Sequence, residues 1–197
     1  MHTRGFKSHQ TIRRKDPENM RIQEIPVEIG WYIAGFVDGE GSFNVSFRKR
    51  PDHTILWQTI LTFNVSQRDK TVLALMKRYL GCGRLQARRD GVWYFVVQNP
   101  RAIIERIIPF FERFHFFSAK SKKNFSIFKD IASRVSRGEH LTFQGLHGIA
   151  MLRENLNEGR GRKRKYTIHD ITNSAGNPQR PYAELERDDM VRPHERS

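Results

Sequence analysis

The chain has 197 residues, a formal net charge of +14 and a pI near 10.4. That length fits one domain with extensions. The charge predicts an anionic partner, nucleic acid first, with a basic ribosomal-type surface as the blander reading.

Residues 1–24 read as a basic arm, with five Lys/Arg and no acid among the first fifteen. Such a start fits an organelle transit segment or a DNA-binding arm equally well. Pro26 can open a first helix that runs to Glu40, where Gly41 is expected to stop it. Its Trp31, Ile33, Ala34, Phe36 and Val37 are too apolar for an exposed helix. Two strands follow. Phe43, Val45 and Phe47 alternate with Asn44, Ser46, Arg48 and Arg50; after a loop at 51–54, Leu61, Phe63 and Val65 alternate with Gln58, Thr62, Asn64 and Ser66. Period two means one buried face and one wet face. A helix over 69–80 ends at Gly81. In a second strand pair, Leu85 and Ala87 alternate with Arg84, Gln86 and Arg88; Asp90-Gly91 makes the turn, and 93–98 returns. Asn99-Pro100 caps a helix to about Phe111. Helices are then predicted over 120–137, with Phe125, Ile127, Phe128 and Ile131 inward, and over 141–158, stopped at Gly159. A loose tail is expected from Tyr166. The order defines an α+β fold, αββαββα, with one four-stranded antiparallel sheet and additional C-terminal helices. The expected divisions are an arm at 1–24, a domain at 25–159 and a basic, flexible tail at 160–197.

Two features carry chemistry. The stretch from Tyr32 to Gly41, YIAGFVDGEG, puts glycines and two carboxylates at the end of an apolar helix. Glycine in a helix costs about 1 kcal/mol relative to alanine. Gly35 and Gly39, four apart, share a face, and giving up side chains along one face lets another backbone approach. Packed against its own copy about a two-fold axis, this helix brings two Glu40 carboxylates together, and close carboxylates attract divalent metal. The alternative is a helix pair within one chain. The second feature is the wet sheet face, rich in amides and guanidinium groups and poor in acid. Arg reads guanine edges and Asn or Gln reads adenine edges, so the face reads as DNA-binding rather than merely solvated. The candidates for base contact are Asn44, Ser46, Arg48, Gln58, Thr62, Asn64, Gln86 and Arg88. The run 160–165, RGRKRK, offers phosphate contacts from Arg160, Arg162, Lys163, Arg164 and Lys165, or is a flexible basic tail, or both.

One cysteine, Cys82, permits no intramolecular disulfide and fits an intracellular reducing compartment: an organelle (chloroplast or mitochondrion) or a bacterial or archaeal cytoplasm. The eight histidines show no metal-ligand spacing with it. No apolar run reaches membrane-spanning length. Neither a membrane partner nor a small-molecule cofactor is expected.

The motif IAGFVDGEG (33–41) resembles the signature of LAGLIDADG homing endonucleases. LTFNVSQRD (61–69), the PFFERF run at Pro109, KSKKNFSIFKDI (120–131), HLTFQGL and GRGRKRKYT are similar to the single-motif branch encoded in group I introns, often in large-subunit ribosomal RNA genes. The likeness covers 26–166 in order, with one copy of the motif. It implies a homodimer meeting at Gly35, Phe36 and Gly39, and metal-dependent double-strand cleavage of a long pseudo-palindromic site in double-stranded DNA. It further implies Glu40 as metal ligand, with the Gly39 carbonyl as a second donor for Mg²⁺ or another divalent cation that activates water and offsets charge on the leaving oxygen. Gln67 matches the family's glutamine in the metal–water network. Lys120 matches a lysine that stabilises the transition state, with Lys122 and Lys123 as neighbouring alternatives. A further family basic residue falls at Lys70 or Thr71, which leaves part of the basic pocket unassigned. Asp38 reads as structural. The competing functions on the same fold are an RNA maturase for group I intron splicing and a catalytically inactive DNA-binding protein.

Overall fold

The computed structural model describes residues 20–52, 54–157 and 164–175. Helix α1 (Val27–Glu40) starts behind Pro26 and passes directly into strand β1 (Gly41–Lys49). β1 pairs with β2 (Trp57–Gln67), Phe43 opposite Phe63 and Arg48 opposite Gln58. α2 (Lys70–Leu80) is capped by Asp69, which accepts the Thr71 N–H at 2.7 Å, and ends at Gly81 with φ 63°. β3 (Arg84–Ala87) and β4 (Trp93–Val97) complete an antiparallel sheet in the order β1-β2-β4-β3. Between them Gly91 takes φ 79° as the hairpin turn requires.

The sheet buries one face. Phe43, Val45, Phe47, Trp57, Leu61, Phe63, Val65, Phe95 and Val97 point into the core, alternating as the period-two pattern predicts. Helices cover them from one side. α3 (Pro100–Ala102), capped by the Asn99 side chain, runs into a π-helical turn (Ile103–Ile107) and then α4 (Ile108–Arg113). The π turn has a local cause in Pro109, which has no N–H for the carbonyl one turn back and whose ring would crowd it; a wider turn relieves both. α5 (Ala119–Ser136) begins at Ser118, whose hydroxyl accepts the Ser121 N–H at 3.2 Å. Phenylalanine fills the layer between sheet and helices: the Phe43 ring lies 5.2 Å from Phe63 and 5.0 Å from Phe128, and Phe111 stacks on Phe116 at 4.6 Å.

Three expectations change. Gly41 does not end α1 through a left-handed turn; it is extended, φ −83° and ψ 158°, and already belongs to β1. A Cβ there would lie 2.4 Å from Val37 Cγ1 and 2.6 Å from its carbonyl oxygen, so glycine is needed for closeness rather than for a turn. The helix expected over 141–158 is shorter: α6 (Phe143–Glu154) starts at the Thr142 cap, and Leu141 lies in a preceding 3-10 turn. Past its end the Asn155 and Leu156 N–H groups close tighter turns onto the Leu152 and Arg153 carbonyls at 3.1 and 3.0 Å, and Asn157 turns left-handed, φ 56°, and gives its amide to the Phe43 carbonyl at 2.7 Å; Gly159 lies outside the described residues. The loose tail is not loose over 164–175, where α7 (Ile168–Ala175) forms. Thr167 and Asp170 cap it reciprocally, Ile171 is buried, and Tyr166 meets Trp57 edge-on at 4.9 Å.

Candidate active site and nucleic-acid interface

α1 serves three directions at once. Ile33, Ala34 and Val37 are buried in the core. On the opposite side, Glu28, Tyr32, Gly35 and Gly39 form an exposed stripe at three- and four-residue spacing. A Cβ built on Gly35 or Gly39 would meet nothing within 4 Å, so these glycines are not spent on any contact within the described residues. Phe36, expected at the same interface, is half-buried and packs on the core at the edge of this stripe. At the end of the stripe stands Glu40, exposed, at the point where helix becomes strand.

The register brings the other candidates to this end. Gly41 pairs with Val65, so Gln67, at the end of β2, extends alongside the last residues of α1. Its side-chain oxygen accepts the Arg68 N–H at 2.8 Å. Asp38 joins α1 to α5: its Oδ2 accepts the Phe117 and Ser118 N–H groups at 3.1 and 3.0 Å, and its Oδ1 accepts the Ser118 hydroxyl. The Ser121 hydroxyl donates to the Asp38 carbonyl at 3.3 Å. Burial alone would raise the Asp38 pKa, but these hydrogen bonds outweigh it and hold the carboxyl at about 2. Asp38 is therefore a strut, and it fixes the start of α5, from which exposed Lys120 projects. Lys70, in the first turn of α2, lies 4.4 Å from the Trp93 ring centre, and Trp93 is paired with Gln67. Glu40, Gln67, Lys70 and Lys120 thus gather at one end of the sheet.

Among the described residues no group of three His, Cys, Asp or Glu is placed to hold a metal ion. The chain offers Glu40 and the neighbouring Gly39 carbonyl, hard oxygen donors of the type magnesium takes, which make only part of a coordination shell.

The wet sheet face carries the expected polar residues together. Asn44 pairs with Thr62, Ser42 with Asn64, Arg48 with Gln58, and Gln86 with Tyr94. The four strands contain no Asp or Glu. Several side chains are already tethered. Arg88 donates to the Tyr94 hydroxyl at 2.6 Å and pairs with Asp90 at 3.1 Å. Arg84 donates to Gln98 at 2.8 Å, and Gln98 donates in turn to Thr62 at 3.3 Å. Arg84, Tyr94 and Gln98 are members of this face that the sequence candidates omit; period-two counting through β3 and β4 finds all three. Asn44 is committed at the sheet edge, donating to Ser42 at 3.0 Å and accepting from Asn157 at 3.2 Å.

Of the basic run, Arg160, Arg162 and Lys163 lie outside the described residues. Arg164, still exposed, folds back onto the end of α6, paired with Glu154 and donating to the Arg153 and Leu156 carbonyls at 2.9 and 3.0 Å. Lys165 lies over the Tyr166 ring at 5.1 Å. No helix among the described residues is long and apolar enough to cross a membrane.

A glycine-striped helix ending in an acid beside an acid-free antiparallel saddle defines a class of DNA-processing fold. Residues 33–132 match the family model described as LAGLIDADG endonuclease, and the chain belongs to that family. It is similar to Probable intron-encoded endonuclease 2 of Neurospora crassa, 29% identical over 153 residues that make up 71% of this chain and 32% of that protein. It is also similar to homing endonuclease I-ApeII of Aeropyrum pernix, 30% identical over 108 residues, 54% of this chain and 64% of that one. The chain therefore spans a third to under two thirds of the length of these relatives. The archaeal intron-encoded homing endonuclease I-Vdi141I, solved in complex with DNA, superposes with a TM-score of 0.68 at 28% identity, covering 75% of this chain and 94% of that one.

Proposed function

We propose that this chain is a site-specific homing endonuclease that acts as a homodimer and makes a double-strand break in a long, pseudo-palindromic DNA site. The observation that carries the reading is the open glycine stripe of α1 running straight to exposed Glu40. A surface so bare and so close to a carboxylate suits a copy of itself, and two copies put two acids over one duplex. The acid-free saddle supports a nucleic-acid role, its Arg, Asn and Gln side chains matching the donors and acceptors of the major groove. The protein would work inside the cell or organelle that carries its target.

In this reading Glu40 and the Gly39 carbonyl from each copy would hold a divalent cation such as Mg²⁺. When bound, that ion supplies Lewis-acid stabilisation of the phosphodiester and lowers the pKa of water. Gln67 orients water through its amide. The Lys120 ammonium offsets negative charge as it develops on the phosphoryl oxygens. Asp38 keeps Lys120 at its station by holding the first turn of α5.

The test is to offer the purified protein a randomised duplex library with Mg²⁺ and recover cut ends. The expected result is cleavage at one family of related sites, abolished in Glu40→Gln, which still binds those sites in a salt-sensitive way. Full cutting by Glu40→Gln refutes the role given to that acid. Specific binding with no cutting by the unmodified protein would make it the inactive DNA-binding form of the fold.

A further inference from the structure

On either side of the open stripe, α1 carries two dissimilar features. At 100° per residue, Trp31 and Asp38 fall to one side of Glu28, Gly35 and Gly39, and Tyr32 and Phe36 fall to the other. The Trp31 side holds a projecting aromatic group. Phe117 is 70% exposed, its ring 5.7 Å from Trp31 and 5.3 Å from His115, and its N–H is tied to Asp38 at 3.1 Å. The Tyr32 side holds a recess of about 290 Å³ between α1 and α2, lined by Tyr32, Thr71, Val72, Ala74, Leu75 and Arg78. Tyr32 itself is 50% exposed.

Symmetry relates these features. If both Glu40 carboxylates are to meet at one end, the two α1 helices must run parallel, and the two-fold axis must lie along them. Rotation about such an axis turns the Trp31 side of one protomer to face the Tyr32 side of the other, and does so twice. It also keeps every group at its own height along the helix. Phe117 is held between Trp31 and Asp38, and the recess begins at Tyr32, one residue from Trp31.

Area gives a second argument. A standard interface buries about 800 Å² per partner. The line of Glu28, Gly35 and Gly39, two of its three positions glycine, supplies little of that from side chains. A whole aromatic side chain buries about 150–250 Å². The exposed fractions of Phe117 (70%) and Tyr32 (50%) then supply roughly 180–300 Å² per protomer, about a quarter to three-eighths of what is needed.

Building on the homodimer reading above, we propose that Phe117 of each protomer inserts into the α1–α2 recess of the other, forming two reciprocal aromatic locks that flank the glycine contact. The occupant of the recess is the second copy of this chain. The locks stabilise the pair and set the roll of one α1 against the other, and so the relation between the two acids.

The test uses a Cys82→Ser background, because Cys82 is the chain's one cysteine. His115→Cys, beside the knob, and Ala74→Cys, in the recess, leave Phe117 in place. The two single variants are mixed, exchanged and treated with a short bismaleimide. The expected product is a covalent heterodimer, with each single variant alone remaining uncross-linked because its site lies off the axis. Phe117→Asp is expected to raise the dimer dissociation constant at least tenfold in sedimentation. A dimer that gives no cross-link in the mixture, or cross-links His115→Cys to itself, overturns the locks and leaves the homodimer standing. An unmodified chain that sediments as a monomer, alone and on cleavable DNA, removes the homodimer and the locks together.

Discussion

Replacing Asp38 with asparagine tests how the start of α5 is held against α1. The carboxylate accepts two backbone N–H groups and the Ser118 hydroxyl. Its pKa falls from 3.8 to about 2: burial pushes upward, and the bonds from Ser118, Ser121 and Phe117 push downward further. A depression of that size sets a ceiling of about 2.5 kcal/mol. Solvent screening at this partly exposed position lowers the contribution to about 1 kcal/mol. Because the folded-state pKa is depressed, this stability is complete above pH about 4 and is lost as the pH falls toward 2. Asparagine keeps the shape but not the charge, so the stabilisation and its pH dependence go together. In urea denaturation, Asp38→Asn should be about 1 kcal/mol less stable at pH 7, with the gap closing below pH 3. A gap of only a few tenths at pH 7, or one that persists unchanged to pH 2, would refute the strut. If Lys120 acts as proposed, the same variant should lose cleavage rate more than DNA affinity, because the first turn of α5 carries that lysine.

Two further substitutions probe the sheet and its C-terminal cover. Phe43 is 3% exposed and its ring meets five other phenylalanines at 5.0–5.8 Å, so Phe43→Ala should cost about 3–5 kcal/mol in thermal or urea unfolding. Asn157→Gly keeps the left-handed backbone but removes the amide from the Phe43 carbonyl and Asn44. It should cost about 1 kcal/mol and speed amide hydrogen exchange in 164–175, measured by mass spectrometry.

The sheet was legible because its strands alternate cleanly and carry their own punctuation. Phe43, Val45 and Phe47 face in while Asn44, Ser46 and Arg48 face out, and Asp69, Gly81, Gly91 and Asn99 each mark a boundary through a local hydrogen bond or dihedral angle. What stayed hidden depends on contacts distant in sequence. Nothing near Asn157 says that its amide will close the β1 edge, 114 residues away. Arg164 reads as one more phosphate-binding cation until Glu154 and two carbonyls claim it. Asn44, an obvious base reader by composition, is claimed the same way from the edge. The α7 helix was a missed signal rather than a hidden one: Thr167 and Asp170 have capping-box spacing, and Ile168 and Ile171 continue it.

The site follows the same division. The placement of Glu40 could be read from the motif because it depends only on the end of α1, and that of Gln67 follows from strand register; the roles proposed for both await the cleavage test. Asp38 shows where local reading stops. Two residues from Glu40 and chemically almost identical, it differs through the elements packed around it: one acid faces the backbone of α5 and the other faces outward. α1 therefore spends one carboxylate on rigidity so that the other can stay uncommitted at a fixed place. That division explains why two acids and three glycines occur within nine residues. The buried face and the Asp38 strut prevent the helix from rolling, the glycines at 35 and 39 leave its outer face open, as the proposed homodimer requires, and Gly41 lets β1 leave without moving Glu40. Under the proposed function, loosening any one of these shifts Glu40 relative to the second copy's acid without touching it, so variants at Asp38, Gly35 and Gly41 should lose cleavage before they lose DNA binding.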